Sequence, residues 1–334
     1  MLTHMPKILI IRFSSIGDIV LTTPVIRCIK MQVPNAEVHF LTKQSFVSII
    51  APNPYVSKVW GLGSDWSLLE TLKQEAFDVV IDLHHNLRTL KVKRALKAKA
   101  YSFNKLNVEK WLLTNFKINR LPAIHIVDRY LATAEAIGVS NDMQGLDYFI
   151  PDEAKVSIDK LPATHHNGYV GLVIGAALAT KQLPLSKLEA LCAAIEQPIV
   201  LLGGPEDAVN GQLLADINQE KIFNACGKFK LHESASLVQQ AKVIVTHDTG
   251  LMHIAAAFKK PIISIWGNTV PAFGMGPYYG NAEVANALFE VPDINCRPCS
   301  KIGYKQCPKG HFKCMQLQPV EAIVASVNKI WKHV

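Results

Sequence analysis

Residues 243–258, VIVTHDTGLMHIAAAF, decide the fold of this chain. An apolar strand pattern leads into Asp248, Thr249 and Gly250, and an apolar helical pattern begins at Leu251. This order predicts a strand, a tight glycine turn and a helix that starts at the turn. The first N–H groups of such a helix have no partner inside it and lie at the positive end of its dipole, so the junction suits a diphosphate.

A second junction of the same kind stands near the N-terminus. The apolar run KILIIRF at 7–13 is followed by SSIGD at 14–18, and a helical pattern opens near 22–24. One carboxylate, that of Asp18, is left at the end of this first strand. A carboxylate at such a position can act as a general base or can cap a helix, and position alone leaves both roles open.

Strand and helix patterns alternate along the whole chain, which favours parallel sheets covered on both faces. The chain of 334 residues is long for one core, and Pro, Asp and charged residues interrupt the apolar periodicity at 151–167. We therefore expect an α/β protein with two doubly wound, Rossmann-like domains. The two would face each other across a cleft, with Asp18 and Asp248 directed toward one ligand.

The composition is that of a globular protein, with 49% hydrophobic and 19% charged residues. No apolar stretch reaches the roughly 18 residues of a membrane-spanning helix. The N-terminus enters a strand pattern without the features of a signal peptide. We expect a cytoplasmic protein.

The net charge of +8 is concentrated in one segment. Residues 84–120 contain ten Lys or Arg and a single acid, Glu109. A solvated helix face would explain this run, and so would attraction to an anionic membrane surface or to a phosphorylated lipid acceptor. Nucleic acid is not expected as a partner, because no aromatic-interleaved recognition motif accompanies the basic run.

Four of the seven cysteines fall in one short stretch, at Cys296, Cys299, Cys307 and Cys314. A Cys-x-x-Cys pair followed by two further thiols is able to hold a structural zinc ion, with His311 as a substitute ligand. The second pair is spaced more widely than in a usual zinc knuckle. Free thiols in a reducing compartment are therefore the favoured interpretation, and zinc is the alternative.

The two junctions together carry a family resemblance. SSIGD at 14–18 and DTGLMH at 248–253, with TKQLP at 180–184, PIISIWG at 261–267 and the cysteine-bearing tail, resemble the ADP-heptose:lipopolysaccharide heptosyltransferases of glycosyltransferase family 9. The resemblance implies a fold of the GT-B type. It would place an acceptor-binding domain at 1–158, a nucleotide-sugar domain at 159–318, and a helix at 319–334 that returns to the first domain. An ordinary capping helix of the second domain is the alternative for that last segment.

The resemblance also implies a function. The chain would be an inverting glycosyltransferase of lipopolysaccharide biosynthesis that moves a heptose from ADP-heptose to the lipopolysaccharide core or a related lipid-linked saccharide. Asp18 would be the general base. No cofactor is expected, and no metal ion either, because the chain lacks the Asp-x-Asp motif that often holds one. The cation that stabilises the leaving diphosphate would then be Lys181.

The remaining expected site residues fall into two sets. Donor binding is assigned to Thr180, Lys181, Glu206, Asp248, Thr249, Gly250, Leu251 and His253. Glu206 is better suited to cap a helix than to bind the donor ribose, and His253 either donates to the donor or holds the turn. Acceptor binding is assigned to Ser15, Asn86, Arg88 and Lys91, with the enzyme in peripheral contact with the inner face of the inner membrane.

Two competing functions follow from the residues. A nicotinamide oxidoreductase needs Gly-x-Gly-x-x-Gly after its first strand, but Gly17 stands alone in its loop, so this class is excluded. A nucleotide-sugar binding protein with impaired catalysis remains the alternative. It is suggested by Ala176 and Ala177, which stand where relatives of the family carry hydroxyl residues.

Overall fold

The computed structural model describes residues 5–334 and forms two compact α/β units. The first unit takes its described residues from 5–105, Ile124–Phe149 and Tyr278–Asn281, and the second from Leu106–Ala123, Ile150–Pro277 and Ala282–Val334. Each unit is built around one parallel sheet. The division is not a single cut near 158, because the segment 106–123 belongs to the second unit.

The first unit has a five-stranded sheet in the order β3-β2-β1-β4-β5, and every pairing in it is parallel. The strands are β1 (Lys7–Ile11), β2 (Glu37–Lys43), β3 (Lys58–Leu62), β4 (Val79–Asp82) and β5 (Lys99–Ser102). Its helices are α1 (Ile16–Val20), α2 (Thr23–Gln32), α3 (Val47–Ile50), α4 (Leu68–Gln74), α5 (Leu87–Leu96) and α7 (Ile126–Leu131). The chain runs outward from β1 in one direction and from β4 in the other. The carboxyl ends of β1 and β4 therefore meet at the switch point of the sheet, where such folds bind ligands.

The second unit has a six-stranded parallel sheet in the order β11-β10-β9-β6-β7-β8. The strands are β6 (Val170–Val173), β7 (Ile199–Leu202), β8 (Ile222–Asn224), β9 (Val243–His247), β10 (Ile262–Trp266) and β11 (Asn286–Glu290). Its helices are α6 (Asn107–Phe116), α8 (Leu185–Ala194), α9 (Ala208–Ala215), α10 (Leu231–Gln240), α11 (Gly250–Ala257), α12 (Lys313–Gln316) and α13 (Val320–Trp331). The switch point lies between β6 and β9. The loop after β6 and the start of α11 are thus neighbours for topological reasons.

The fold class expected from the alternating pattern is confirmed. The two junctions form as predicted: β1 leads into α1 past residues 14–18, and β9 leads into α11 at Gly250. The edge strand β11 was not anticipated, because its short sequence NALFE alternates only between half-buried and exposed positions. The helix α6 was not anticipated either, because it lies inside the basic run and buries only Leu113.

The last helix, α13, packs on α8, β9 and β10 of the second unit. Its buried residues Ile323, Val327 and Ile330 join the core cluster of that unit. This is the packing expected of a capping helix of the second domain, the alternative named from the sequence. Throughout residues 5–334, every helix is too short or too polar to cross a membrane.

Candidate active site

A buried arginine organises the end of β1. Arg12 donates from Nη1 to the backbone oxygen of Leu83 at 2.6 Å and to the Tyr130 hydroxyl at 2.8 Å. Its Nε donates to the backbone oxygen of Ser14 at 2.8 Å. The remaining nitrogen, Nη2, lies 2.7 Å from Oδ1 of Asp18. Arg12 therefore joins three segments of the first unit, and its remaining nitrogen forms an ion pair with the Asp18 carboxylate.

Asp18 is fixed from both sides. Its second oxygen, Oδ2, accepts from the Ser15 backbone N–H at 3.1 Å and from the Ser15 hydroxyl at 2.8 Å, which closes a capping box at the start of α1. Burial alone would raise the pKa of Asp18, but the Arg12 charge and the Ser15 hydrogen bonds outweigh burial and hold that pKa below its usual value. Asp18 is thus both a capping residue and an ionised carboxylate, and 22% of its side chain stays exposed.

A histidine completes the surroundings of Arg12. His84 lies two residues beyond the end of β4, and its ring centroid is 5.1 Å from that of Phe13. Burial and the Arg12 charge lower the pKa of His84 to about 4. The ring is therefore neutral near pH 7 and adds no second positive charge next to Arg12.

The switch point of the second unit holds the lysine expected to bind the diphosphate. Nζ of Lys181 lies 2.6 Å from Oδ2 of Asp248, and the Thr269 hydroxyl donates to the same oxygen at 3.0 Å. Lys181 sits in the loop after β6, Asp248 at the end of β9 and Thr269 after β10. Asp248 orients the Lys181 ammonium in this arrangement, and its carboxylate would repel a phosphate rather than bind one.

The start of α11 is open beside this pair. Thr249 is its N-cap residue in an extended conformation, and the Thr249 side chain makes no cap hydrogen bond. Thr249, Gly250 and Leu251 are partly exposed. The first N–H groups of an eight-residue helix are therefore available to an anion next to the Lys181 ammonium.

A buried histidine ties the lysine loop to β9. Nε2 of His247 accepts a hydrogen bond from the Leu183 backbone N–H at 3.1 Å. Burial lowers the pKa of His247 to about 4, so the ring stays neutral and able to accept. This contact fixes the loop only two residues beyond Lys181.

Three expected donor residues have other surroundings. The Thr180 hydroxyl accepts from the Tyr304 N–H at 2.7 Å and donates to the Tyr304 oxygen at 3.1 Å, so it holds the tail loop. His253 is buried with 2% of its surface exposed, as expected of a histidine that holds the turn. Glu206, expected to cap a helix or to bind the donor ribose, is exposed, and its neighbour Asp207 accepts from the Gly204 N–H at 2.9 Å.

The expected acceptor residues divide into structural and exposed ones. The Asn86 side chain accepts from the Thr89 N–H at 3.0 Å and so caps α5, while the Ser15 hydroxyl donates to Asp18. Arg88 and Lys91 are exposed on α5. Lys91 lies 4.4 Å from the centre of the Trp66 ring, a cation–π distance.

The cysteine cluster does not take the form of a metal site. Within the described residues, no three His, Cys, Asp or Glu side chains form a group that could hold a metal ion. Sγ of Cys296 lies 3.8 Å from Nε2 of His311. Burial and the neighbouring Cys296 raise the pKa of Cys299 to about 12, which keeps this thiol protonated.

Sequence reasoning missed Arg12, Tyr130, His247 and Thr269. Arg12 had a visible signal, because a charged residue at the end of an otherwise apolar strand has to find a partner. His247 is the last residue of β9 and Thr269 follows β10, at the same edge of the sheet as Asp248. Tyr130 carries no local signal, since only the packing of α7 brings it to β1.

Two parallel-sheet α/β units, each with charged residues at the switch point of its sheet, are the architecture of the GT-B fold. The particular family follows from comparison. Residues 65–306 match glycosyltransferase family 9 (heptosyltransferase), and because this range spans more than half of the chain, the protein belongs to that family. The matched range includes Lys181 and Asp248 and begins after Asp18.

Individual proteins agree with this assignment. The chain is 28% identical over 306 residues to lipopolysaccharide heptosyltransferase 1 of Campylobacter coli, covering 84% of this chain and 87% of that protein. The family 9 glycosyltransferase of Veillonella parvula has the same fold, with a TM-score of 0.77, 22% identity and 98% of both chains covered. The Escherichia coli heptosyltransferase WaaC, solved with ADP, gives a TM-score of 0.69 at 20% identity, with 97% and 99% covered.

The Arg12–Asp18 pair predicts a pH-dependent effect on stability. Asp18→Asn should lower the free energy of unfolding by about 1.5–3 kcal/mol near pH 7, because it removes a hydrogen-bonded charge from Arg12. The lowered pKa means that the ionised carboxylate contributes this stability above its ordinary value of 3.8, and that the contribution is lost as the pH falls through the lowered pKa. Urea unfolding of both proteins should show a constant difference from about pH 7 to 5 and a shrinking one below about 4.

The exposed residue Asp216 offers a matched control, and Asp216→Asn should change stability little at any pH. If the Asp18→Asn difference were absent, or declined already between about pH 7 and 5, the ion pair would not have the strength described.

Proposed function

We propose that this protein transfers a heptose from ADP-heptose to the core of a lipopolysaccharide, or to a related lipid-linked saccharide, by an inverting displacement without a metal ion. The family is that of the heptosyltransferases, the relative in Campylobacter coli is named a lipopolysaccharide heptosyltransferase, and WaaC was solved with ADP. One observation carries the proposal. The Lys181 ammonium is held by Asp248 beside the open N-terminus of α11.

The donor half of the mechanism uses this cation. As the bond between the anomeric carbon and the diphosphate oxygen breaks, negative charge grows on the departing ADP. The Lys181 ammonium and the N–H groups of Gly250 and Leu251 stabilise that charge. Asp248 keeps Lys181 extended toward the helix start, and the incoming diphosphate competes with the carboxylate for the ammonium protons.

The acceptor half uses Asp18. Its ionised carboxylate takes the proton of the acceptor hydroxyl while the hydroxyl oxygen forms the new bond to the anomeric carbon. A low pKa makes Asp18 a weak base toward a free hydroxyl, so the proton moves late, once the new carbon–oxygen bond has made that hydroxyl acidic. Arg12 and Ser15 hold the carboxylate in one orientation. A single displacement of this kind inverts the anomeric carbon.

The acceptor is anionic and lipid-linked in this proposal, and the enzyme meets it at the inner face of the inner membrane. The exposed side chains of Arg88 and Lys91 on α5 support the assignment. Arg88 presents a fork of donors that suits a phosphate or carboxylate of the saccharide. Other cations of the basic run serve the fold instead, since Nζ of Lys93 lies 2.8 Å from the buried Asp82.

The assay that tests the function is also the test of metal independence. Purified protein, ADP-heptose and a heptose-deficient lipopolysaccharide acceptor should yield a heptosylated acceptor and ADP, as measured by mass spectrometry. The rate should be unchanged in EDTA, because Lys181 and α11 supply the positive charge. The zinc content of the same sample should be measured, so that loss of metal from the cysteine cluster is not mistaken for an effect on catalysis.

Loss of transfer in EDTA that magnesium or manganese restores would overturn metal independence. A protein that binds ADP-heptose but transfers no heptose to any acceptor would support the alternative, a catalytically impaired binding protein.

Lys181→Met should weaken ADP binding about 10- to 100-fold, the range expected when a charged hydrogen bond is lost. The rate of transfer should fall as well, because the ammonium acts before and during bond breaking. Isothermal titration with ADP measures the first effect. Lys259→Met is a matched control, because Lys259 is an exposed lysine just beyond the opposite end of α11. Equal ADP affinity in the two variants would remove Lys181 from the donor site.

A further inference from the structure

The second unit exposes a group of large apolar side chains on α6 and on a loop of the cysteine-bearing tail. Val108, Trp111 and Phe116 of α6 are 67%, 49% and 58% exposed, and Ile302 and Tyr304 of the loop are 68% and 42% exposed. We name these five residues the α6–loop surface. The rings of Trp111 and Phe116 contact each other edge to face, with centroids 5.0 Å apart. Outward-facing aromatic residues cost solvation energy and mark interaction surfaces.

Hydrogen bonds hold the two segments side by side. Nζ of Lys117, at the end of α6, donates to the backbone oxygens of Pro298 at 2.8 Å and Cys296 at 3.2 Å. Nζ of Lys301 donates to the backbone oxygen of Asn107, at the start of α6, at 3.4 Å. The Tyr304 backbone is fixed in turn by Thr180. The α6–loop surface is therefore a constructed part of the second unit, formed from segments that lie far apart in the sequence.

Positive charge lies along both segments that carry these apolar residues. Segment 106–123 contains three Lys or Arg and one acid, Glu109, and segment 296–313 contains five Lys or Arg and no acid. Arg297 of the second segment is bound to Glu290, but its other four cations are exposed: Lys301, Lys305, Lys309 and Lys313. The part of the basic run that belongs to the second unit, residues 106–120, thus lies beside a basic segment of the tail.

We infer that the α6–loop surface docks the enzyme on an anionic phospholipid bilayer. Aromatic and aliphatic side chains enter the boundary between headgroups and acyl chains, and Lys and Arg beside them are attracted to anionic headgroups. A second copy of this chain fits poorly, because a twofold interface would bring two sets of like charges together. The inference rests on the proposed function only because that function supplies a reason for docking. Vesicle binding itself requires no turnover.

Vesicle binding tests the inference directly. The wild-type protein should co-sediment with vesicles of phosphatidylglycerol and phosphatidylethanolamine, and far less with vesicles of phosphatidylcholine alone. Added salt should weaken binding, because it screens the headgroup charge. The double variant Trp111→Ser and Phe116→Ser should bind at least about tenfold more weakly, since it removes two large apolar groups from the bilayer boundary.

The double variant Val209→Ser and Leu213→Ser is the matched control. These residues of α9 are 74% and 51% exposed in the same unit, but they lie outside the α6–loop surface, so vesicle binding should not change. Thermal unfolding shows whether each variant is folded. Should the Trp111 and Phe116 variant fail to fold, Lys305→Glu with Lys309→Glu provides a second test, because both lysines are exposed and the charge reversal should also abolish binding.

Two results with vesicles would overturn the inference: no binding of the wild type to anionic vesicles, or equal binding by the wild type and the Trp111 and Phe116 variant. A third would be self-association of the wild type in ultracentrifugation, without vesicle binding, that is lost in the variant, because the surface would then bind a second copy of the chain. Heptose transfer to a de-acylated saccharide acceptor tests the proposed function separately from membrane docking, because this acceptor has no lipid. The Trp111 and Phe116 variant should retain that activity. If the wild type bound vesicles but transferred no heptose, the proposed function would fail and the docking surface would remain.

Discussion

A guanidinium buried at the end of a strand must have its charge compensated and its N–H donors satisfied, and Arg12 imposes this constraint on the first unit. Its partners come from the loop after β1, the end of β4 and helix α7, so the arginine fixes how these three elements meet. Asp18 supplies the compensating charge. Removing two ions from water costs several kcal/mol, so the carboxylate is bound to the arginine and cannot swing freely. The constraint that stabilises the switch point therefore also orients the carboxylate for which we propose catalysis.

The second unit also has an ion pair at its switch point, but with a lysine in place of the arginine. Lys181 and Asp248 also form an ion pair at a switch point, but lysine carries a compact ammonium on a flexible stem, whereas arginine carries a rigid fork. The ammonium has three donors, and a diphosphate at the start of α11 can engage one while Asp248 keeps another. The donors of Arg12 are bound to backbone oxygens, to the Tyr130 hydroxyl and to the proposed base, Asp18. Lys181 still has N–H donors that can bind a ligand. The contrast accounts for the two roles proposed for these cations.

Local sequence patterns predicted much of this architecture. Alternating strand and helix patterns predicted parallel sheets in two domains, and the sequences SSIGD and DTGLMH marked the two junctions where charged residues collect. The family resemblance assigned Lys181 and Asp248 to one donor site, and parallel sheet topology is what brings the residues after adjacent strands together. The carboxylate pairing of Lys181 was not predicted, because a strand-end position defines a neighbourhood but not a hydrogen-bond partner.

Long-range packing explains what the sequence did not show. Tyr130 reaches Arg12 through the placement of α7, and Thr180 is occupied by a tail residue that lies far along the chain. Glu206 and Asp207 are both acidic, and only the backbone geometry selects Asp207 as the acceptor of the Gly204 N–H hydrogen bond. The basic run likewise concealed α6. Its exposed Trp111 and Phe116 acquire meaning only when the burial of each position is known.

The assignment of Asp18 as the base is tested most directly by single-turnover heptose transfer with Asp18→Asn. The carboxamide keeps the size of the side chain but cannot accept the acceptor proton, so the rate should fall by roughly 10² to 10⁴. ADP affinity should be unchanged, because Lys181 and α11 belong to the other unit, and near-ultraviolet circular dichroism should show a folded protein. A folded Asp18→Asn variant that transferred heptose at nearly the wild-type rate would contradict the account and leave Asp18 as a structural partner of Arg12.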